Sequence, residues 1–108
     1  MNDAFPTPGA PVRGSATGAP VMALLDLLGR RWAMGVLWQL CESGPATFRA
    51  LQARCDGVSP SVLNTRIKEL RHAGLVGDGP DGYFGTVEGM ALYAMLCPLG
   101  EWAHEWAA

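Results

Sequence analysis

Polar side chains recur at helical spacing between residues 60 and 72, and their hydroxyl, amide and ammonium groups are those that read base edges in DNA. On a helix they fall on one side. Leu63, Ile67 and Leu70 recur at i, i+4 and i+7 on the other side, where they can pack into a core. The pattern predicts four base-contacting residues: Ser61, Asn64, Thr65 and Lys68.

Basic residues flank this polar stripe and favour contacts with phosphate. The predicted phosphate-contacting residues are Arg30, Arg31, Arg49, Arg66, Arg71 and His72. Alternatives stay open, since Arg66 can pair with Glu69 or brace its own domain, and Arg31 can be a solvated side chain. A solvated amphipathic helix without a ligand would show the same pattern, so the neighbouring elements must decide between these two interpretations.

Both ends of this helix are marked in the sequence. Ser59 is a predicted N-cap and Pro60 suits the first helical position, where its missing N–H costs nothing. Gly74 can take the left-handed position after the helix, and Leu75 can then close over Leu70 in a Schellman motif. Just upstream, Thr47 can cap a short helix that ends near residues 56–57. Two helices joined by such a turn predict a helix-turn-helix over residues 47–74.

The remaining segments complete a mainly α domain with a small β-hairpin. Residues 1–19, rich in proline and glycine, are predicted to be a disordered tail, and the domain spans 20–108. A short helix should start at Pro20, and an apolar helix from Trp32 to residue 41 should be central. Residues 75–86 predict a short hairpin, and residues 87–106 a last helix capped by Thr86, which Pro98 should kink or split.

The domain has more apolar residues than so small a core can bury, and aromatic residues are enriched in interface cores. We therefore predict that the N- and C-terminal helices form a dimer interface, although burial in the monomer core is the alternative for the tryptophans. The predicted interface residues are Leu24, Met95, Leu99, Trp102 and Trp106.

Charge is unevenly distributed along the chain, whose net charge is -2. Residues 30–71 carry seven cationic and three anionic side chains, whereas residues 72–108 carry five anionic side chains and neither lysine nor arginine. The local positive field coincides with the predicted helix-turn-helix, although the acidic total argues against a general polyanion binder. No apolar run predicts a membrane span and no secretory signal is evident, which favours the cytoplasm.

The three cysteines have no C-x-x-C spacing and lie in apolar stretches, so we interpret them as reduced thiols of the core, with redox sensing as the alternative. Two scattered histidines do not support a zinc site, and Asp78 and Asp81 lack the spacing of a calcium loop. We predict no metal and no cofactor. Catalysis is not expected either, because no nucleophile lies near a histidine in a motif and no glycine-rich phosphate loop occurs.

The order helix, helix, helix-turn-helix, hairpin, helix is that of a winged helix, and residues 19–106 resemble the HxlR type of bacterial transcription regulators. The resemblance is carried by the following residues: Pro20-Val21, Leu25 to Gly29, Arg31-Trp32, Phe48, Leu51, Val58-Ser59-Pro60, Leu63, Arg66 to Leu70, Gly74-Leu75-Val76, Tyr83, Thr86, Gly89, Leu92 and Trp102. It implies a homodimer whose paired helices enter successive major grooves of a pseudo-palindromic operator.

The chain departs from the family pattern at three places. Ala19 stands where many members have a cysteine that in some senses oxidants or electrophiles, so redox control through that thiol is not supported. The wing is short and has Gly77-Asp78-Gly79 where the family has cationic side chains, which argues against its contact with DNA. Gly85 replaces a leucine, which should loosen the hairpin.

The leading hypothesis is a DNA-binding transcription regulator that acts as a homodimer on double-stranded DNA, with an unidentified small-molecule effector as a further partner. An effector pocket near Trp32, Trp38 and Trp102 is conceivable, but packed core residues are the simpler interpretation. The alternative hypothesis is a degenerate winged-helix module for protein interaction, with weak or no DNA binding, because its acidic wing would repel phosphate.

Overall fold

The computed structural model of the protein describes residues 5–108, which contain five helices and one antiparallel pair of strands. This confirms the mainly α architecture with a small hairpin. The elements are α1 (Pro20–Leu28), α2 (Ala33–Ser43), α3 (Phe48–Arg54), α4 (Pro60–His72), β1 (Val76–Gly79), β2 (Gly82–Gly85) and α5 (Val87–Ala107). Within the described residues, no helix has the length and apolarity needed to cross a bilayer.

Helix α2 is the centre of the domain, as its apolar sequence predicts. It contacts the other four helices and β2. Its Val36 and Leu37 have no exposed surface, and Leu40 is 2% exposed. Leu51 of α3 and Leu63 of α4 are also fully buried in this core, so α2 holds both helices of the helix-turn-helix in place.

The hairpin packs against the loop between α2 and α3. Gly79 pairs with Gly82 across the two-residue turn Pro80-Asp81, where the sequence predicts a tight turn. Tyr83 of β2 exchanges backbone hydrogen bonds of 2.8 and 2.9 Å with Ala46, so the loop before α3 adds a third extended segment to the hairpin. Gly82 has a φ of 106° and lies against Ala46, an arrangement that only glycine tolerates.

The start of α2 differs from the sequence prediction. The helix begins at Ala33, and Trp32 before it has a φ of 75°, a left-handed conformation that is costly for a residue with a Cβ atom. The physical reason is the short connection of four residues between α1 and α2, which must allow the two helices to pack against each other. Local apolar periodicity does not reveal such a connection.

Helix α5 also differs from expectation, because it continues through Pro98 as one helix of 21 residues. Of the two predicted outcomes, a kink or a split at Pro98, the split is therefore wrong, and the kink stays a prediction. Proline removes only one N–H from the ladder, and the turns on either side of Pro98 supply the remaining hydrogen bonds. The predicted cap is confirmed, since the Gly89 N–H donates to the Thr86 hydroxyl at 3.0 Å.

The segment before α1 is less irregular than its composition suggests. The Gly9 N–H donates to the Gly18 carbonyl at 2.9 Å, and an isolated bridge joins Val12 to Ser15. The backbone N–H of Arg13 donates to the Asp26 carboxylate of α1 at 3.2 Å. Over residues 5–19 the structure therefore shows local turns, because glycines allow tight turns that need little apolar burial, and the disorder of this segment stays a prediction. Residues 1–4 of the predicted tail lie outside the described residues.

Candidate nucleic-acid interface

Helix α4 has well-defined ends, and both agree with the sequence prediction. The Val62 N–H donates to the Ser59 hydroxyl at 3.3 Å, which makes Ser59 the N-cap. At the other end Gly74 has a φ of 79°, and the Leu75 N–H donates to the Leu70 carbonyl at 3.0 Å. This is the predicted Schellman motif. These caps fix the length of α4 and hence which residues share each of its faces.

The predicted polar stripe of α4 is exposed along its length. Leu63, Ile67 and Leu70, on the opposite face, are at most 2% exposed. The structure brings all four predicted base-contacting residues to this exposed surface, which we call the polar stripe: Ser61, Asn64, Thr65 and Lys68. A helix that buries one face and exposes a row of hydrogen-bonding groups on the other can dock in a major groove.

The side chains of the polar stripe differ in how free they are. The Thr65 hydroxyl donates to the Ser61 carbonyl at 3.0 Å, so its proton is already used. Its oxygen can still accept, and its methyl group can contact a thymine methyl. Within the described residues Asn64 and Lys68 make no side-chain hydrogen bond or ion pair. Asn64 and Lys68 are therefore the donors most available for base contacts.

Two of the predicted phosphate contacts are engaged inside the protein instead. Glu69 is only 5% exposed, and its two carboxylate oxygens pair with Arg30 and Arg66. The Arg66 guanidinium lies 2.6 Å from one Glu69 oxygen and donates through Nε to the Arg31 carbonyl at 2.7 Å. We call Arg30, Glu69 and Arg66 the arginine clamp. The clamp ties α4 to the turn between α1 and α2.

The arginine clamp engages two of the predicted phosphate-contacting residues, Arg30 and Arg66, within the protein, and their contact with phosphate stays a prediction. Their side chains are 25% and 18% exposed, and a carboxylate that is nearly buried already neutralises much of their charge. For Arg66, the alternative pairing with Glu69 is the one that the structure shows. The signal in the sequence was the i, i+3 spacing of these two residues. No local signal points to Arg30, which lies 39 residues before Glu69.

The other predicted phosphate contacts lie at the surface around α4. Arg49 in the first turn of α3 and Arg71 in the last turn of α4 are exposed. Arg31 is exposed and its guanidinium lies 5.9 Å from the centre of the Trp32 ring. His72 is exposed, although the Phe5 ring stacks on its imidazole at 4.4 Å. These four residues supply the accessible basic groups of the predicted set.

Sequence inspection missed the role of Arg54, a further basic residue near this surface. Its guanidinium donates to the carbonyls of Gly44 and Pro45 at 2.7 and 3.3 Å. These bonds fix the loop that leads from α2 into α3. Arg54 thus stabilises the scaffold of the helix-turn-helix, and a count of charges along the sequence overstates the number of cations that face solvent.

The wing has no cationic side chain to offer a duplex. Asp78 in β1 and Asp81 in the turn are both exposed. Gly85 pairs with Val76 in register, and a Cβ atom at Gly85 would lie 2.7 Å from the Cys41 sulfur. The glycine thus leaves room for Cys41 beneath the hairpin.

The three cysteines are free; Cys55 is buried, whereas Cys41 and Cys97 are half-buried. Burial raises the pKa of the Cys41 thiol and also that of Cys55, where the nearby Arg54 charge opposes the shift. A raised pKa reduces the thiolate fraction, and the thiolate is the reactive form. Within residues 5–108 no three potential metal-binding side chains lie together.

Exposed apolar residues also lie on α5 and on α1. Met95, Leu99, Trp102 and Trp106 are between 53% and 74% exposed, and the two indoles stack with ring centres 5.9 Å apart. The alternative prediction, that these tryptophans are buried in the monomer core, is therefore wrong. On α1 the predicted Leu24 is half-buried beside the N-terminal segment. The more exposed residues there are Val21 and Leu25, at 61% and 54%.

Comparison with known proteins relates this architecture to bacterial and archaeal regulators. A family model described as HxlR-like helix-turn-helix matches residues 27–108. The HTH-type transcriptional regulator YvaP of Bacillus subtilis (strain 168) is 33% identical over 89 residues, which cover 76% of this chain and 82% of the relative.

Solved structures give the same relationship. The crystal structure of quinone-bound YodB from B. subtilis has a TM-score of 0.73 at 28% identity, over 79% of this chain and 96% of that one. A possible HxlR family transcriptional factor from Thermoplasma volcanium GSS1 has a TM-score of 0.70 at 29% identity, over 82% of this chain and 84% of that one. The winged helix-turn-helix architecture is common to the three proteins.

Proposed function

Because this chain belongs to the HxlR-like helix-turn-helix family of transcription regulators, we propose that it binds a pseudo-palindromic DNA operator as a homodimer. The proposal assigns it a regulatory and not a catalytic role, in the cytoplasm. The polar stripe of α4 is the observation that carries the proposal. It presents four hydrogen-bonding side chains on the face opposite Leu63, Ile67 and Leu70.

The proposed contacts with DNA divide into two kinds. Asn64 and Lys68 contact base edges, assisted by Ser61 and Thr65, because side chains on the outer face of a groove-bound helix reach the bases. The accessible basic residues around α4 contact phosphate and set the orientation of the helix. They are Arg31, Arg49, Arg71 and His72.

The proposed dimer brings two copies of α4 to one side of the DNA. The exposed apolar residues of α1 and α5 supply the interface, since a surface of this kind is unfavourable in water unless a partner covers it. Stacked Trp102 and Trp106 provide its largest apolar contact area. A two-fold dimer then reads two half-sites about one helical turn apart, roughly 34 Å between centres.

We include a response to a small molecule in the proposal. This response does not act through the cysteine that many family members have. The quinone bound to YodB supports the idea that a member of this fold accommodates an organic ligand. Here the corresponding position is Ala19, and burial raises the pKa of both Cys41 and Cys55. Covalent sensing by these thiols is therefore not part of the proposal.

Fluorescence anisotropy with labelled DNA from the region adjacent to the gene tests the proposed function. A specific complex should form at about 10 nM to 10 pM affinity at physiological salt, and a scrambled duplex should bind at least roughly a thousandfold more weakly. Light scattering should give twice the monomer mass. A folded dimer that binds no adjacent DNA even at low salt would contradict the proposal.

The interaction-module hypothesis is tested on the wing. Exposed Asp78 and Asp81 place negative charge where a wing would approach phosphate, which is the observation that favours this second function. If the native protein has lost DNA binding, the double variant Asp78→Lys, Asp81→Lys should create it. If the native protein already binds its operator tightly and specifically, the module hypothesis is wrong.

A further inference from the structure

An open, solvent-exposed cleft, which we call the cavity, lies between α2 and α5, on a side of α5 that the exposed apolar residues do not occupy. Its volume is about 640 Å³, which is ample for a small organic molecule. Trp38 of α2 and Tyr93 of α5 form its aromatic lining. None of the predicted DNA-contacting residues lines it, so the cavity is distinct from the candidate nucleic-acid interface.

The two aromatic rings are held in a fixed arrangement. They meet edge to face, with ring centres 5.0 Å apart and planes at 79°, and both side chains are half-buried. Gly100 of α5 lies opposite the tip of the indole, where an added Cβ atom would be 3.6 Å from Trp38. The absence of a side chain at Gly100 therefore keeps space open beside the Trp38 ring.

Carboxylates surround these rings at the mouth of the cavity. Glu42, Glu101 and Glu105 line it and are exposed, and His104 is the one basic residue among the described residues that line it. Glu42 is in the last turn of α2 and Glu105 in the last turn of α5. Acidic side chains at helix C-termini are unfavourable, because the backbone dipoles already make that end negative.

The negative potential extends to Tyr93 itself. Hydrogen bonding with the Cys97 side chain and burial raise the pKa of Tyr93 to about 12, and the Glu42 charge acts in the same direction. Tyr93 is therefore a neutral phenol at physiological pH, and its ring keeps the electron-rich faces that attract cations. A cation in this cavity would meet both aromatic surface and uncompensated negative charge.

We propose that the cavity between α2 and α5 binds an organic monocation that carries an aromatic ring, such as a benzylammonium compound. The ring packs against Trp38 and Tyr93, and the ammonium group lies towards Glu101 and Glu105. Anionic ligands are disfavoured by the three carboxylates, and neutral aromatic ligands gain only the apolar part of the interaction.

The site offers a route to regulation that rests on the proposed function. Helix α2 lines the cavity with Trp38 and packs directly against α4. A ligand that favours one position of α2 would therefore bias the position of the polar stripe, and DNA affinity would change with ligand concentration. Ligand binding itself does not depend on DNA and is measured without it.

Titration calorimetry of the full chain at about pH 8 tests the site with three probes: benzyltrimethylammonium, benzyl alcohol and benzenesulfonate. We expect the cation to bind at least about fivefold more tightly than the neutral alcohol, and the sulfonate not to bind. The double variant Glu101→Gln, Glu105→Gln should lose at least about fivefold in affinity for the cation. Both glutamates are exposed, so the variant should fold normally.

Glu88→Gln is the matched control, because Glu88 is an exposed glutamate of the same helix outside the cavity. It should leave the affinity for the cation unchanged. Gly100→Leu should block binding by filling the space beside Trp38. Equal affinity for the cation and the alcohol, or equal loss in the double variant and in Glu88→Gln, would overturn the proposal. A protein that binds the cation but no operator would retain this site and lose only the proposed function.

Discussion

Cationic side chains that lie within a few residues of each other on α4 face different surroundings, and they define two groups of cations. Arg66 turns back to Glu69 and to the backbone of the preceding turn, together with Arg30. Lys68 and Arg71 extend into solvent. Neighbouring charges of one helix therefore differ in their surroundings: Arg66 is paired within the domain, whereas Lys68 and Arg71 are left exposed to solvent.

The difference between paired and exposed cations also applies to the whole of residues 30–71. Residues 30–71 contain seven cationic side chains, but Arg30, Arg54 and Arg66 are engaged with groups of the protein itself. Only four extend freely from this segment: Arg31, Arg49, Lys68 and Arg71. Because the field available to phosphate is smaller than the sequence count implies, specificity must depend more on direct base contacts.

Removing the charge of Glu69 should produce the largest effect. In Glu69→Gln, Arg30 and Arg66 lose their shared counter-ion, and one-sided loss of a buried pair is strongly destabilising. We expect about 2 to 4 kcal/mol lower free energy of unfolding, which is below the full value for buried pairs because both arginines are partly exposed. Urea denaturation measures the change.

Glu101→Gln serves as the control for this prediction, because Glu101 is an exposed carboxylate. Its free energy of unfolding should stay within about 0.5 kcal/mol of the parent protein. If Glu69→Gln is as stable as Glu101→Gln, the arginine clamp does not hold α4 in place, and the distinction between the two groups of cations fails.

The local parts of this architecture were predictable from the sequence. Thr47, Ser59 and Thr86 each cap the helix that follows, because a cap depends only on residues two or three positions away. Gly74 ends α4 for the same kind of reason. The exposed stripe also followed from helical periodicity, since the spacing of Leu63 and Ile67 determines which residues face outward.

The parts that could not be predicted depend on residues distant in sequence. The pairing of Arg30 with Glu69 spans 39 residues, and no local pattern specifies it. The left-handed conformation of Trp32 results from the turn that joins two packed helices, whereas its apolar neighbourhood favours a helical start. The sequence thus identifies the cationic residues. Only the packed structure shows which of them pair within the protein and which face solvent.

The next test measures the contribution of Lys68 to specific binding. Lys68→Ala removes an exposed ammonium group that has no partner within the described residues, so stability should change by no more than about 0.5 kcal/mol. Affinity for the operator should fall by about 1 to 3 kcal/mol if the side chain contacts a base. Anisotropy titrations against the operator and a scrambled duplex distinguish this loss from a general one. An equal loss on both duplexes would assign Lys68 to phosphate.

Arg71 should show the behaviour of a residue that binds phosphate. Arg71→Ala should weaken binding to the operator and to the scrambled duplex alike. It should also reduce the slope of log affinity against log salt concentration by about 0.9 for each phosphate that the variant no longer neutralises. The measurement is a set of titrations between about 50 and 200 mM salt, over which the Debye length falls from about 14 to about 7 Å. A slope identical to that of the parent protein would remove Arg71 from the interface.

Arg30 should have the smallest effect on the salt dependence, although the sequence alone suggests a role like that of Arg71. In Arg30→Met the cation that is removed is one that Glu69 already neutralises, so few counterions are released through it when DNA binds. The variant should therefore lose stability, while its salt slope stays within about 0.2 of the parent value. A decrease of about 0.9 would mean that Arg30 leaves Glu69 for phosphate in the complex. In that case the two groups of cations would differ only in the unbound protein, and the clamp would open on DNA binding.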